Sequence, residues 1–174
     1  MDPRGYGVRV IPAHEPLVEL SLTELGMTEP SMPQFAFWEG SWVVTYVDDA
    51  GAAWEGANVV TQIEDGKAIE ERFSLVQPDG EVMTGRSVSV PVPGRGWCQT
   101  WVDNSGSYLD FVGGWNGTEM CLTRTTERDG APLLQRMIWY AIEPDTFDWD
   151  WQSSTDDGAT WQLNWRLAYQ RVTS

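Results

Sequence analysis

The sequence predicts an all-β protein: a single up-and-down antiparallel barrel of about ten strands, preceded by an N-terminal arm. Three observations predict it. Nine turn signals rich in Gly, Asn and Asp punctuate residues 35–174, from Asp48-Asp49-Ala50-Gly51 to Asp157-Gly158, and these residue types tolerate the positive φ of tight hairpins. No helical stretch of crossover length separates the intervening segments, so sequence neighbours should pair antiparallel. Several of those segments alternate apolar with polar residues, and eleven Trp among seventeen Gly point to an aromatic interior. A long meander with no other device for hiding its edges favours closure.

The 174 residues suit one folded unit with a sizeable core. Residues 1–34 read as an arm or lid: they hold five of the ten prolines and the single histidine, His14. The stretch 18–26 (VELSLTELG) reads as a short helix ending at Gly26. Residues 35–174 read as the barrel.

Alternation then assigns faces, because successive strand residues point to opposite sides. Trp161, Leu163, Trp165, Leu167 and Tyr169 share one face of the last strand, and Phe147, Trp149 and Trp151 one face of the strand before it. The inner set continues with Trp97, Gln99, Trp101 and Asp103, with Leu109, Phe111 and Trp115, and with Met120, Leu122 and Arg124. Ile69, Glu71, Phe73 and Leu75 are read as inward, as are Thr84, Arg86, Val88 and Val90. The eighth strand is read with Leu134, Arg136, Ile138 and Tyr140 inside, although Leu133, Gln135, Met137 and Trp139 fit nearly as well.

This interior carries Glu71, Arg86, Gln99, Asp103, Arg124 and Arg136 among aromatic walls. Buried charges need partners or hydration. They form either a closed ion-pair network, Glu71 with Arg86 or Arg136, or a polar spot in a ligand cavity. Three arginines facing inward on a chain of net charge -15 favour a ligand with an anionic or carbonyl group. Ligand-binding candidates are therefore Arg86, Gln99, Trp101, Arg124, Arg136, Trp149 and Trp151. If the barrel is catalytic, Glu71, Asp103 or Tyr140 would do acid–base work.

The net charge of -15 repels phosphate backbones and anionic lipid, so neither nucleic acid nor a membrane is an expected partner. With one His there is no metal cluster, no barrel ligand for haem and no Ser-His-Asp unit, and no cofactor is expected. The start has no apolar h-region, which fits a cytoplasmic protein. Cys98 and Cys121 read as free thiols or as one disulfide. Self-association into a homodimer is left open.

"STDDGATW" (154–161) fits Ser-x-Asp-x-Gly-x-Thr-Trp, the Asp-box repeat of bacterial sialidases. A propeller needs several four-stranded blades, and this chain is too short for one. The stretch reads as a hairpin turn in which Asp156 caps backbone N–H groups.

Several blocks carry a family resemblance: "FAFWEGSWVV" at 35–44, "EERF" at 70–73 and "GRSVSV" at 85–90. To these are added "WCQTWVDNSGSYLDFVGG" at 97–114, "LLQRMIW" at 133–139 and "FDWDWQSSTDDGATWQLNWRLAYQR" at 147–171. Over residues 35–171 the chain resembles an uncharacterised bacterial domain-of-unknown-function family whose members look like lipocalin and fatty-acid-binding barrels. The resemblance implies a calycin-like barrel and favours Gln99, Trp101 and Arg136 as site residues. It also favours Arg72, which alternation places outside. It implies no activity, since fold does not imply function. The expected function is binding of a small, largely apolar ligand; the alternative is a cofactor-free cyclase, isomerase or lyase.

Overall fold

Ten strands form one closed antiparallel barrel in a computed structural model that describes residues 22, 26–48, 50–77 and 79–173. They are β1 (Gly40–Val47), β2 (Ala53–Ile63), β3 (Ala68–Val76), β4 (Val82–Val92) and β5 (Gly96–Asp103), then β6 (Tyr108–Trp115), β7 (Met120–Arg128), β8 (Ala131–Tyr140), β9 (Thr146–Ser154) and β10 (Gln162–Arg171). Each pairs with its sequence neighbour, and β1 pairs with β10 to close the ring. This is the up-and-down architecture read from the turns, and it matches the calycin-like barrel that the resemblance implies. The Asp129-Gly130 turn shows why: both residues sit at positive φ, 54° and 78°, and Arg128 faces Ala131 across them. A two-residue hairpin demands that geometry, and Asp-Gly supplies it at little strain.

One end of the barrel is plugged. A 3-10 turn, Met32–Phe35, sends Phe35 and Trp38 inward, both essentially fully buried. Phe35 meets Trp97 edge-on at 4.7 Å and Trp139 at 5.3 Å between ring centroids. Gln34 orders the approach: its amide donates to Thr28 Oγ1 and the Glu29 carbonyl, and its Oε1 accepts from Trp97 Nε1 at 2.8 Å. Leu22 is also buried. The helix read at 18–26 lies otherwise outside the described residues, as does most of the arm. Among the described residues no helix is long and apolar enough to cross a membrane.

Trp42 anchors the seam between β1 and β10. Its Nε1–H donates to the Trp38 carbonyl at 2.8 Å, its ring meets Phe147 edge-on, and the Arg171 guanidinium lies 4.1 Å above it. Arg171 also donates to the carbonyls of Phe37, Glu39 and Pro144.

Glycine matters where strands crowd. A Cβ on Gly113 would overlap the Cys121 carbonyl oxygen across the β6–β7 ladder. Gly113→Ala must therefore push two strands apart. A loss of about 1–3 kcal/mol in urea unfolding is expected; an unchanged midpoint would show that the barrel wall yields freely there.

Three face assignments are corrected by the pairing. On β4 the inner residues are Gly85, Ser87 and Ser89, while Arg86 and Val88 face outward and are exposed. Small residues belong there because Trp101 folds across Gly85 and Ser87 meets a buried acid. On β8, Met120 faces Trp139 and Leu122 faces Met137, which turns Arg136 and Tyr140 outward. On β10 a bulge between Leu163 and Trp165 shifts the register. Trp165, Leu167 and Tyr169 point in as read, but Leu163 is exposed and Trp161 lies outside, stacked under Arg136 at 4.0 Å. A bulge inserts one residue and so inverts alternation beyond it. Cys98 and Cys121 are free thiols, and burial pushes Cys121 up to about 11.

Candidate functional site

Above the plug the barrel encloses a cavity of about 200 Å³. Five tryptophans line it: Trp101, Trp139, Trp149, Trp151 and Trp165, together with Phe73, Leu109, Phe111 and Met137. Alternation puts them there, since bulky apolar residues at every second position can only be covered inside. Trp139 is shared between plug and cavity, so it forms part of the floor.

One acid sits in this apolar wall. Glu71, on the inner face of β3, is only 7% exposed. Its Oε1 accepts from Asn58 Nδ2 at 2.8 Å on β2, and its Oε2 from Ser87 Oγ at 2.6 Å on β4. Asn58 Nδ2 also reaches the Tyr169 hydroxyl at 3.4 Å on β10. Among the described residues no cation pairs with Glu71. Desolvation therefore dominates: burial raises its carboxyl to about 7, although the Ser87 and Asn58 hydrogen bonds pull the other way. The same burial, and the nearby Glu71 charge, keep the Tyr169 hydroxyl neutral, far above its ordinary range. A carboxyl that titrates near neutrality can either donate or accept a proton in a dry site.

Two other polar lining residues, Gln99 and Asp103, have side-chain partners. Gln99 Nε2 donates to Ser89 Oγ at 2.8 Å. Asp103 stands where β5 enters its turn, farther from the plug. Partial burial would raise its carboxyl, but hydrogen bonds from Ser105, Trp101 and Ser107 outweigh that and hold it well below the carboxylate range. It remains an ionised turn cap, a poor proton carrier near neutrality.

The structure thus places Glu71, Gln99, Trp101, Asp103, Trp149 and Trp151 around one cavity. Arg124 also faces inward, donating to Gln135 Oε1 at 3.0 Å and lying 5.9 Å from the Phe111 ring centre, but it is outside the cavity lining. Arg86, Arg136 and Tyr140 are not in the interior. Arg86 stands 3.5 Å from Glu70 on the outer wall. Arg72, which the resemblance favoured, pairs with Glu70 there as well. Arg136 donates to Gln152 Oε1. Tyr140 donates to Asp150, which also binds Arg166 twice, at 2.7 and 2.8 Å. Burial first, and then the Asp150 charge, push the Tyr140 hydroxyl up to about 12. The closed ion pair of Glu71 with Arg86 or Arg136 therefore does not form. Asn58, Ser87 and Tyr169 were missed as site residues. Only the odd placement of Asn58 and Ser87 on strands could have flagged two of these positions. Among the described residues there is no cluster of metal-ligating side chains.

The Asp156 turn has the geometry read for it. Its carboxylate accepts from the Thr160 hydroxyl, from the Thr160 N–H at 2.9 Å and from Ser154 Oγ, which hold it down at about 2. It lies outside the cavity lining.

No family model matches the chain, and no curated protein matches it. Solved structures do. A redesigned β-barrel, b11L5F_LGL, is similar at 13% identity and a TM-score of 0.43, over 80% of this chain and 96% of that one. EF1p2_mFAP2b bound to DFHBI is similar at 16% identity and a TM-score of 0.44, over 82% and 100%. The S-type phycobiliprotein lyase CPES from Guillardia theta is similar at 17% identity and a TM-score of 0.46, over 90% and 95%. Likeness at these values says nothing about ligand or activity.

Proposed function

We propose that this protein binds a small, largely apolar molecule inside the barrel, one that carries a single anionic or carbonyl group. The observation that carries this is the cavity itself: an aromatic chamber of about 200 Å³ holding a buried acid that has no cation partner among the described residues. Apolar walls with a few placed polar groups are what small-molecule sites are made of. A core built for stability alone would not retain an unpaired acid, which weakens folding whenever it is charged. The sequence blocks between residues 35 and 171 support membership in the domain-of-unknown-function family they resemble, and this reading is compatible with it.

A catalytic reading rests on one further observation. Burial raises Glu71 to about 7, where a carboxyl works best as a proton donor or acceptor in neutral solution. An isomerase or lyase needing no cofactor would use that group.

Native mass spectrometry of the protein mixed with a panel of apolar small molecules tests the binding role. The protein is expected to retain one molecule per chain, and Leu109→Trp, which fills the cavity, is expected to abolish retention. If no apolar molecule is retained, or retention survives in the filled variant, the cavity is not the site.

A further inference from the structure

The barrel wall is incomplete on one side. β6 pairs with β7 only from Val112 opposite Thr123 to Trp115 opposite Met120. Toward the end away from the plug, residues 108–111 pair with β5 and residues 124–128 with β8, but not with each other. This slot borders the cavity, because Leu109 and Phe111, both on its β6 lip, are cavity-lining residues. The ladder between β1 and β10 also stops early, at Thr45 opposite Ala168. There the Tyr46 and Trp165 rings meet edge-on at 5.8 Å and cover the opening. The β6–β7 slot has a cation in the corresponding place, the Arg124 guanidinium, 5.9 Å from the Phe111 ring centre.

Arg124 is only half engaged. Its Nη1 donates to Gln135 Oε1 at 3.0 Å. Its Nε is buried and has no acceptor among the described residues, and none of them accepts from Nη2. Nε and Nη2 together form the side of a guanidinium that grips a carboxylate through two parallel hydrogen bonds. The protein uses that fork elsewhere: Arg166 donates from Nε and Nη2 to the two Asp150 oxygens, at 2.7 and 2.8 Å. Arg72, Arg136 and Arg171 also have an acceptor at Nε. A buried donor left without one is rare.

We infer that the ligand's polar head is a carboxylate, that it passes beside Phe111 into the slot between β6 and β7, and that Arg124 clasps it there through Nε and Nη2. The inference rests on the binding role proposed above and names the head group and its place. Nε is covered, so binding turns the partly buried Arg124 side chain on its flexible stem until the fork meets the head. A carboxylate kept deeper would lie with Glu71 on β3, whereas the slot is separated from β3 by β4 and β5. The acids on the two lips, Asp110 and Glu127, are exposed, and alternation turns them outward. An ammonium head would meet only donors at Arg124.

Equilibrium dialysis with four compounds on one bicyclic skeleton tests this: 4-(2-naphthyl)butanoate, 4-(2-naphthyl)butylamine, 2-butylnaphthalene and 2-naphthoate. The spacer of the first carries its head past Phe111. That compound is expected to bind roughly ten- to a hundredfold tighter than 2-butylnaphthalene, the span of a charge-assisted hydrogen-bonded head. Arg124→Gln should remove the advantage and leave the hydrocarbon's affinity unchanged, which also shows that the variant keeps its cavity. Arg124→Lys, with the charge but no fork, should retain only part of the advantage. 2-Naphthoate, which has no spacer, should bind equally to the protein and to Arg124→Gln. The inference falls, while the binding role stands, if the amine or the hydrocarbon matches the butanoate. It falls in the same way if Arg124→Gln leaves the advantage intact, weakens the hydrocarbon as much or weakens 2-naphthoate as much, or if lysine serves as well as arginine. If none of the four binds, both fall.

Discussion

Glu71→Gln is expected to stabilise the protein at neutral and alkaline pH, by up to about 3 kcal/mol. The folded-state carboxyl titrates near 7 against an ordinary value of 4.5, and each tenfold change in proton affinity corresponds to about 1.4 kcal/mol. Because the folded-state value is raised, the folded protein binds more protons than the unfolded chain between those two pH values. Stability from this group is fully present below about 4.5 and is lost as pH rises through about 7. Glutamine is neutral throughout, and its amide can keep both partners by accepting from Asn58 and donating to Ser87. The two proteins should be nearly equal in urea unfolding at about pH 4.5 and diverge steadily up to about pH 7.5. Asp103 and Asp150, whose carboxyls are held low, act in the opposite direction at acid pH. They act in both proteins, so the difference isolates Glu71. Parallel pH profiles would mean that the carboxyl is hydrated and the cavity wet.

The largest loss of stability is expected from Trp42→Ala, about 3–5 kcal/mol, the range for truncating a buried large aromatic. Trp42 is 1% exposed, so nearly all of its area is at stake. The same substitution strands the Trp38 carbonyl, leaves Arg171 without the ring beneath it and opens space beside Phe147. Trp42→Phe keeps most of the apolar volume and loses only the N–H donor, so it should cost less than half as much. Equal losses in the two variants would assign the effect to the hydrogen bond. A small loss in both would mean that the plug reseats over the gap.

The barrel was legible because its turns are written in residues with few other uses and because its aromatic strands alternate cleanly. Phe147, Trp149 and Trp151 leave no doubt about the face of β9, and Trp97, Gln99, Trp101 little about β5. The errors arose where that logic lacks leverage. β4 offers valines on one face and Gly85, Ser87 and Ser89 on the other. Choosing the apolar face inverted it, because what decides is the space left by Trp101 and the hydrogen bond to Glu71. β8 is apolar on both faces, and only the pairing of Trp139 with Met120 settles it. In β10 a bulge breaks a stripe that looks continuous in the sequence. The acid of the site was found from alternation alone. Its partners were not, since Asn58 sits in a strand without alternation and Tyr169 reads as ordinary core.

The closure of β1 on β10 has a kinetic consequence. Every other strand pair joins residues adjacent in the chain and can form as a local hairpin within microseconds. The seam instead brings together Val44 and Tyr169, about 125 residues apart in sequence. Closing a loop of that length carries an entropy term larger by about 2 kcal/mol than closing a ten-residue hairpin. Folding is therefore expected to run as a zipper of hairpins whose last and slowest event is the meeting of β1 with β10. Amide exchange should in turn reveal opening first at Trp42–Thr45 and Ala168–Arg171, while the ladders of β7, β8 and β9 stay protected.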